Sequence, residues 1–387
     1  MFLFLRPKYV KRAKLYIREA QKRVHYNRDR WSDVTVADFD AQIAKLKKAV
    51  REHDKAAVTE AEHALEQLCE VHCPTDKHAW ISENTEVILV AIIVALGIRT
   101  FFLQPFTIPT SSMEPTLFGI TGRETEEGPP NILMRILDFA WNGRTWHEEV
   151  ALADETITEV KEVKRGGLRR VMTYTRVETD QGNTYWINET VNPVQQTFKL
   201  SAGVRLKKGQ TFVRGFTDTG DHIFVDKVSY HFRKPRAGEV FVFDTRTLAT
   251  IERRNNPSSN TQYYIKRLVA GPGDTLQVMP PQLLINGKIA EGTGYERVMR
   301  GTIENPVEGY RGYSNQTAGG FQFPLLGDPR AKFTVPERHY FAMGDNSYFS
   351  SDSRDWGAAP EENLMGTGFF VYWPFSRDRG GRWGLVR

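Results

Sequence analysis

A mainly β ectodomain on one transmembrane helix, preceded by a helical region, is the architecture that this 387-residue sequence predicts. Three observations predict it. Val87 to Ile98 is an unbroken run without a polar side chain, and after Arg99 and Thr100 it continues as Phe101-Phe102-Leu103. Before it, the chain is rich in Ala, Leu, Lys and Glu at helical spacing. Beyond residue 104, short alternating runs separated by Gly, Pro, Asn and Asp replace that pattern. The boundaries follow: a basic helical region over 1–84, the anchor over 85–103, and a β domain over 104–387. Within the β domain, an insertion occupies about 119–219 and an accessory region about 275–338.

Residues 8–27 read as a basic amphipathic helix with Tyr9, Tyr16, Ala20 and Val24 along one side. Asp33-Val-Thr35 reads as a cap region, followed by charged helices over 36–54 and 56–71, together a small hairpin or coiled-coil-like bundle. The first 30 residues hold ten Lys or Arg against Glu19 and Asp29, whereas the whole chain carries only +5. No nucleic-acid recognition motif accompanies this basic end, so a cytoplasmic, membrane-facing surface is its expected use. Met1-Phe-Leu-Phe-Leu5 is too short to span and suits the interface beside the basic helix. Cys69 and Cys73 are the only cysteines. With His72 they have the look of a metal cluster, but at this spacing plain cytosolic thiols are the expected reading.

Residues 87–103 as a helix extend about 25 Å, the short edge for a span, with Arg99 placed to snorkel. A cleavable leader would sit at the N-terminus, so an uncleaved single anchor is expected, with the N-terminus cytoplasmic and the β domain on the outer side of a cytoplasmic membrane. In that domain, Val171–Val177 and Thr184–Ile187 around Asp180-Gln-Gly-Asn183 form a hairpin signal. Ile223–Val225, Glu239–Phe243, Leu283–Ile285 and His339–Met343 read as further strands. Long helical patterns are absent there, which predicts a closed or nearly closed sheet.

Just past the apolar segment lies Ile108-Pro-Thr-Ser-Ser-Met-Glu-Pro-Thr-Leu117. Its prolines resist helix and hold a hydroxyl-rich turn. Ser112 in such a turn becomes a nucleophile only beside a base. The histidines after residue 104 (His147, His222, His231 and His339) announce no triad, and no Gly-x-Ser-x-Gly elbow is present. A lysine is the alternative base. It must be neutral, and lowering its pKa by about 2 units costs about 2.7 kcal/mol, so it needs an apolar pocket. Lys266 in Tyr263-Tyr-Ile-Lys-Arg-Leu-Val269, followed by the turn Pro272-Gly-Asp274, is the best candidate.

Four ordered blocks carry a family resemblance: Pro109–Thr116; Gly220–Lys227 with Arg236–Phe243; Tyr264–Arg267 with Pro272–Asp274; and Gly344–Asn346 with Ser350–Arg354 and Trp356-Gly357. In these the chain resembles the bacterial type I signal (leader) peptidases, densely over 87–118 and 220–375. The resemblance implies a signal-peptidase-like β-barrel or sheet fold and cleavage of secretory precursors after small residues at −1 and −3. It implies Ser112 as nucleophile, Lys266 as general base, and the Thr110 hydroxyl with the Ser112 N–H as oxyanion donors. It implies Ser350 as a hydrogen-bonding orienter of the lysine, and Arg267–Asp345 and Asp352–Arg354 as structural ion pairs. Phe106, Ile108, Pro109, Met113, Leu117, Tyr264 and Ile265 fall at matching substrate-wall positions, though core packing also accounts for such residues. No metal or cofactor is implied. The implied partners are signal-bearing precursors, the lipid bilayer and neighbouring export machinery, with no nucleic acid.

The chain departs from the family in Ser347-Tyr348-Phe349, where a charged pair is usual, in Ala270-Gly271 for Gly-Leu, and in the long insertion. A relative specialised for dedicated substrates and an inactive secretion scaffold are the alternatives; an intact Ser112 and Lys266 argue against the scaffold.

Overall fold

The computed structural model describes residues 7–72, 79–164, 173–246, 248, 263–300, 312–375 and 383–386. It divides into two compact units, Met1–Ile93 and Val94–Arg387. The division falls inside the apolar helix rather than at the expected ends of an anchor.

In the first unit, α1 (Lys8–Asn27), α2 (Asp33–Glu52) and α3 (Lys55–His72) pack around Ala13, Phe39, Leu46, Val58 and Leu65. Their spacing places these apolar side chains on one stripe per helix, which burial then stabilises. The cap of α2 is Ser32, whose Oγ accepts from Thr35 N at 3.2 Å, just before the expected cap region. His53 takes a left-handed turn, and Asp54 Oδ1 accepts from Ala56 N and Ala57 N to start α3. Cys69 packs against this core; Met1–Leu5 and Cys73 lie outside the described residues.

Helix α4 (Ala79–Phe101) contains an 18-residue stretch, Asn84–Phe101, long and apolar enough to cross a membrane, with none of it buried. It stops at Phe101 because Leu103 enters a strand. Lys227 secures the stop: its N–H donates to Phe102 O at 2.9 Å and its Nζ to Thr100 O at 2.7 Å.

The second unit is β-rich. Its main sheet comprises β1 (Leu103–Thr107), β2 (His222–Asp226), β3 (Val240–Asp244), β4 (Tyr263–Ala270), β5 (His339–Met343), β6 (Ala359–Pro360), β7 (Leu364–Trp373) and β8 (Gly384–Leu385). The order is β1-β2-β7-β3-β4-β5-β6, with β8 pairing β7. Among the described residues no pairing joins the two ends, so the sheet is open. Ile108, Met113, Ile223, Val225 and Val242 form one buried cluster against it; Phe241, Phe243, Leu268 and Tyr340 form another.

The expected insertion folds as two sheets. Thr121–Glu124, Thr211–Asp218 and Arg144–Val150 make one, and Glu155–Lys164 with the Thr173–Thr179/Thr184–Ile187 hairpin and Arg205-Leu206 makes the other, with its own core around Ile157, Val177 and Val194. A four-stranded sheet over Thr275–Thr334 occupies the accessory region. The sequence reading missed helices in this unit: α5 (Ile132–Asn142), Val191–Phe198 and Thr293–Arg300. All are short, and in α5 the polar stripe of Arg135, Asp138 and Asn142 rests on three residues within 11, a brief periodic signal.

Candidate active site

Thr110 is extended, at φ −122° and ψ 157°, and Ser111–Met113 form a single 3-10 turn. Met113 O accepts from Thr116 N and Leu117 N, both at 2.9 Å, so the segment turns twice. Asp221 holds this shape. Its Oδ2 accepts from Phe118 N at 2.8 Å, its N–H donates to Phe118 O, and its carbonyl accepts from Ile108 N. The contact is so close that a Cβ on Gly220 would lie 1.7 Å from Ile108 O, and one on Gly119 2.3 Å from the Thr110 carbonyl carbon. Gly220→Ala should therefore destabilise the fold by about 1–3 kcal/mol, whereas Gly128→Ala, whose Cβ meets only Glu148 Oε1 at 3.7 Å, should not. Thermal unfolding of the two variants checks this, and equal melting temperatures would sink it.

Lys266 lies on β4 opposite Phe241 of β3, with Tyr264 two positions earlier on the same face. The ring of Tyr264 lies 5.6 Å from Nζ. Only 5% of Lys266 and 7% of Ser112 is exposed. Lys266 Nζ donates to Ser112 Oγ at 2.6 Å, across 154 residues of sequence; when the amine is neutral, the hydroxyl can donate instead. Burial pushes the lysine down to about 8, and although Asp352 and Asp345 pull upward, Arg354 adds to the lowering. The Thr110 hydroxyl points at Ser112 Oγ from 3.4 Å.

The four blocks meet at this pair. Arg267, next to the lysine, donates from Nε to Asp345 Oδ1 at 2.7 Å and from Nη2 to Oδ2 at 2.6 Å. Its Nη1 reaches Gly238 O at 2.6 Å, and its Nη2 reaches Thr116 Oγ1 at 3.0 Å. Thr116 itself donates to Asp345 Oδ2 at 2.5 Å. Beside Asp345, Asn346 donates from its backbone to Ser112 O and from Nδ2 to Ser111 O, both at 3.1 Å. One residue from each block thus holds the serine turn against the lysine strand. Thr116, Asp221 and Asn346 complete the site beyond the residues that the sequence marks; the signal for them is a short polar side chain within each motif.

The altered loop is tied down by the second ion pair. Arg354 is fully buried and places all five donors: Nε and Nη2 on Asp352 (2.8 and 2.7 Å), Nη1 on Ser314 O and Ser347 Oγ (2.7 and 2.6 Å), and Nη2 also on Ser347 O (2.7 Å). Burial, the largest single influence, would raise the Asp352 carboxyl, but Arg354, the Gly344 N–H and Lys266 together hold the group below its usual range. Ser347 therefore supplies a hydroxyl where a charged residue is usual. Ser350 is buried, and its Oγ has no hydrogen-bond partner among the described residues. It crowds Gly344, where a Cβ would lie 2.2 Å from Ser350 Oγ and 2.4 Å from Ser112 O. Of the wall positions, Ile108, Met113 and Leu117 are buried in the core, Phe106, Tyr264 and Ile265 are half-buried, and Pro109 is exposed.

The site thus places a buried serine against a buried lysine, with a hydroxyl beside them and two internal ion pairs around them, on an open β-sheet. The family model described as signal peptidase, peptidase S26, matches residues 81–120 and 214–373, slightly over half of the chain. The chain belongs to that family. Among its relatives, a probable chloroplastic thylakoidal processing peptidase 2 of Arabidopsis thaliana is 26% identical over 236 residues, covering 57% of this chain and 56% of that protein. A signal peptidase I of Leptolyngbya laminosa is 31% identical over 161 residues, covering 41% of this chain and 64% of its own length. The chain thus spans less than two thirds of these relatives. A solved signal peptidase I from Enterococcus faecalis matches 35% of this chain and 97% of its own, at 25% identity and a TM-score of 0.25.

Proposed function

We propose that this chain is a membrane-anchored signal peptidase that hydrolyses secretory precursors after small residues at −1 and −3, with Ser112 as nucleophile and Lys266 as general base. The observation that carries the reading is the 2.6 Å contact between two buried groups, one of them a lysine depressed to about 8. The neutral amine takes the hydroxyl proton as Ser112 Oγ attacks the scissile carbonyl. It returns that proton to the leaving amine, and then activates the water that clears the acyl-enzyme. Thr110 and the Ser112 N–H would stabilise the oxyanion, each such donor being worth ~10²–10³ in rate. The resemblance implies Ser350 as an orienter of the lysine, although among the described residues its buried hydroxyl makes no hydrogen bond to it. Arg267–Asp345 and Asp352–Arg354 act structurally. An extended substrate would lie along the strand edge beside Phe106, Pro109, Tyr264 and Ile265.

Helix α4 would span the membrane, with the basic bundle in the cytoplasm and the β-rich unit on the outer face of the cytoplasmic membrane, near exported precursors. A precursor repertoire restricted by the insertion is favoured by one observation: residues between the two family-matched segments fold on a core of their own.

The test is cleavage of a signal-bearing precursor by the full chain, followed against pH. A neutral lysine is the active form, so the rate should rise as pH passes upward through about 8. It should fall about tenfold per pH unit below that value. A rate independent of pH between about 6 and 9, with chemistry limiting, would remove the lysine base.

A further inference from the structure

Helix α5, Ile132–Asn142, is turned inside out for a helix on a water-facing surface. It is properly terminated: Asn131 Oδ1 accepts from Met134 N at 2.9 Å, and Gly143, at φ 66°, donates to Phe139 O at 3.0 Å. Yet none of its residues is buried, and Ile132 (70%), Leu133 (63%), Ile136 (58%), Leu137 (52%), Phe139 (53%) and Trp141 (64%) are exposed. At about 100° per residue the polar Arg135, Asp138 and Asn142 share one narrow stripe, and the apolar residues cover the remaining arc. Asp138 and Asn142 on that stripe are half-buried; Asp138 accepts from Trp146 Nε1 at 2.8 Å and from Asn142 Nδ2 at 2.9 Å. The polar side faces the protein and the apolar side faces out. An apolar patch this large on a folded domain marks an interaction surface.

Its position says what covers it. Trp373 Nε1 donates to Ala140 O and Phe375 N to Trp141 O, both at 2.9 Å, while Phe139 meets the Trp373 ring at 5.5 Å. That fixes α5 to the end of β7. From there apolar rings run back along the sheet: Trp373 against His222 (4.7 Å), His222 against Tyr372 (5.8 Å), and Tyr372 stacked on Phe224 (4.3 Å). Phe224 is opposite Pro105 on β1. Burial keeps His222 biased toward its neutral form. Strand β1 starts at Leu103, just after α4 ends with Phe101 and Phe102 both exposed. A row of rings thus links the patch on α5 to the strand that follows the apolar helix, with charge entering at its far end in Asp226, opposite Leu103, and in Lys227, bound to Thr100 O. The patch also lies at residues outside both segments matched by the family model.

We propose that α5 is a second membrane contact, a helix lying in the plane of the bilayer interface with its apolar arc among the acyl chains. The inference rests on the reading of α4 as a membrane anchor. An in-plane helix suits a lipid interface because it leaves no backbone group unpaired and exposes a wide apolar arc, with Trp141 at headgroup depth. It would fix how the β-rich unit sits on the membrane, which one tethering helix alone does not do.

The test uses the full chain with Cys69→Ser and Cys73→Ser, in vesicles of phosphatidylethanolamine and phosphatidylglycerol. An environment-sensitive fluorophore is attached at Leu137→Cys, at Ile92→Cys in α4, or at Gln181→Cys in an exposed turn. Brominated acyl chains should quench the labels at 137 and 92 and leave that at 181 unchanged. Quenching at 92 without quenching at 137 overturns the inference and leaves the anchor standing. A label at 137 that is shielded from aqueous iodide but untouched by brominated lipid means that protein covers the helix, a second copy included, and also overturns it. No quenching at 92 removes the anchor, and the inference with it.

Discussion

Ser112→Ala and Lys266→Met should each abolish precursor cleavage, lowering kcat by about 10⁴–10⁶-fold, because a nucleophile and its base act as one unit. The double variant should be no worse than either single one. Their stabilities should separate lost chemistry from lost structure. The lysine is buried and depressed to about 8 against an ordinary 10.5, so between those values the unfolded chain binds more protons and stability rises with pH. Below about 8 the folded state carries the full penalty, roughly 3 kcal/mol. Lys266→Met removes that penalty while keeping most of the packing, so at neutral pH it should unfold no more easily than wild type. Measurable cleavage by Ser112→Ala, or a Lys266→Met protein that is both inactive and markedly less stable, would count against the dyad.

The largest expected stability losses come from the buried ion pairs. Asp345→Ala leaves Arg267, 1% exposed, without its carboxylate, and Arg354→Ala leaves Asp352 charged, unpaired and fully buried. Each should cost about 3–5 kcal/mol. Arg338→Ala breaks an exposed pair with Glu361, whose side chains are 76% and 37% exposed, and should cost under about 1 kcal/mol. Urea unfolding of the three variants measures the difference. Arg354→Lys should recover little, because an ammonium cannot reproduce five donors in a planar fork. If the buried and exposed variants unfold at the same urea concentration, the two pairs do not hold the site.

What was legible in the sequence was what is local or carried by side-chain type. The bundle helices follow from apolar spacing, and the apolar helix from an unbroken run. The pairing of Ser112 with Lys266 rests on the demand of a weak nucleophile for a base, on the apolar strand around the lysine and on the order of the four blocks; the two side chains lie 2.6 Å apart. What stayed hidden depends on contacts across the fold. Thr116 and Asn346 look like turn residues until Asp345 and the Ser112 carbonyl arrive beside them. Ile108, Met113 and Leu117 were expected at a substrate wall, and the structure packs them inward. The loop at Ser347 looked weakened by loss of charge; a serine satisfies Arg354 there because burial makes a hydroxyl and a carbonyl sufficient partners. Helix α5 is hard to read in the sequence because its period rests on three polar residues within 11 positions.

The Ser112 carbonyl is gripped by Asn346, and the lysine's neighbour Arg267 by Asp345, both from one stretch near the end of the chain. The turn carrying Ser112 and the strand carrying Lys266 are made before that stretch. If Ser112 and Lys266 act as proposed, catalytic competence is a late event in synthesis: a ribosome must deliver the fourth block before the first one can cut. For the peptidase proposed above, this order would keep an unfinished chain chemically silent.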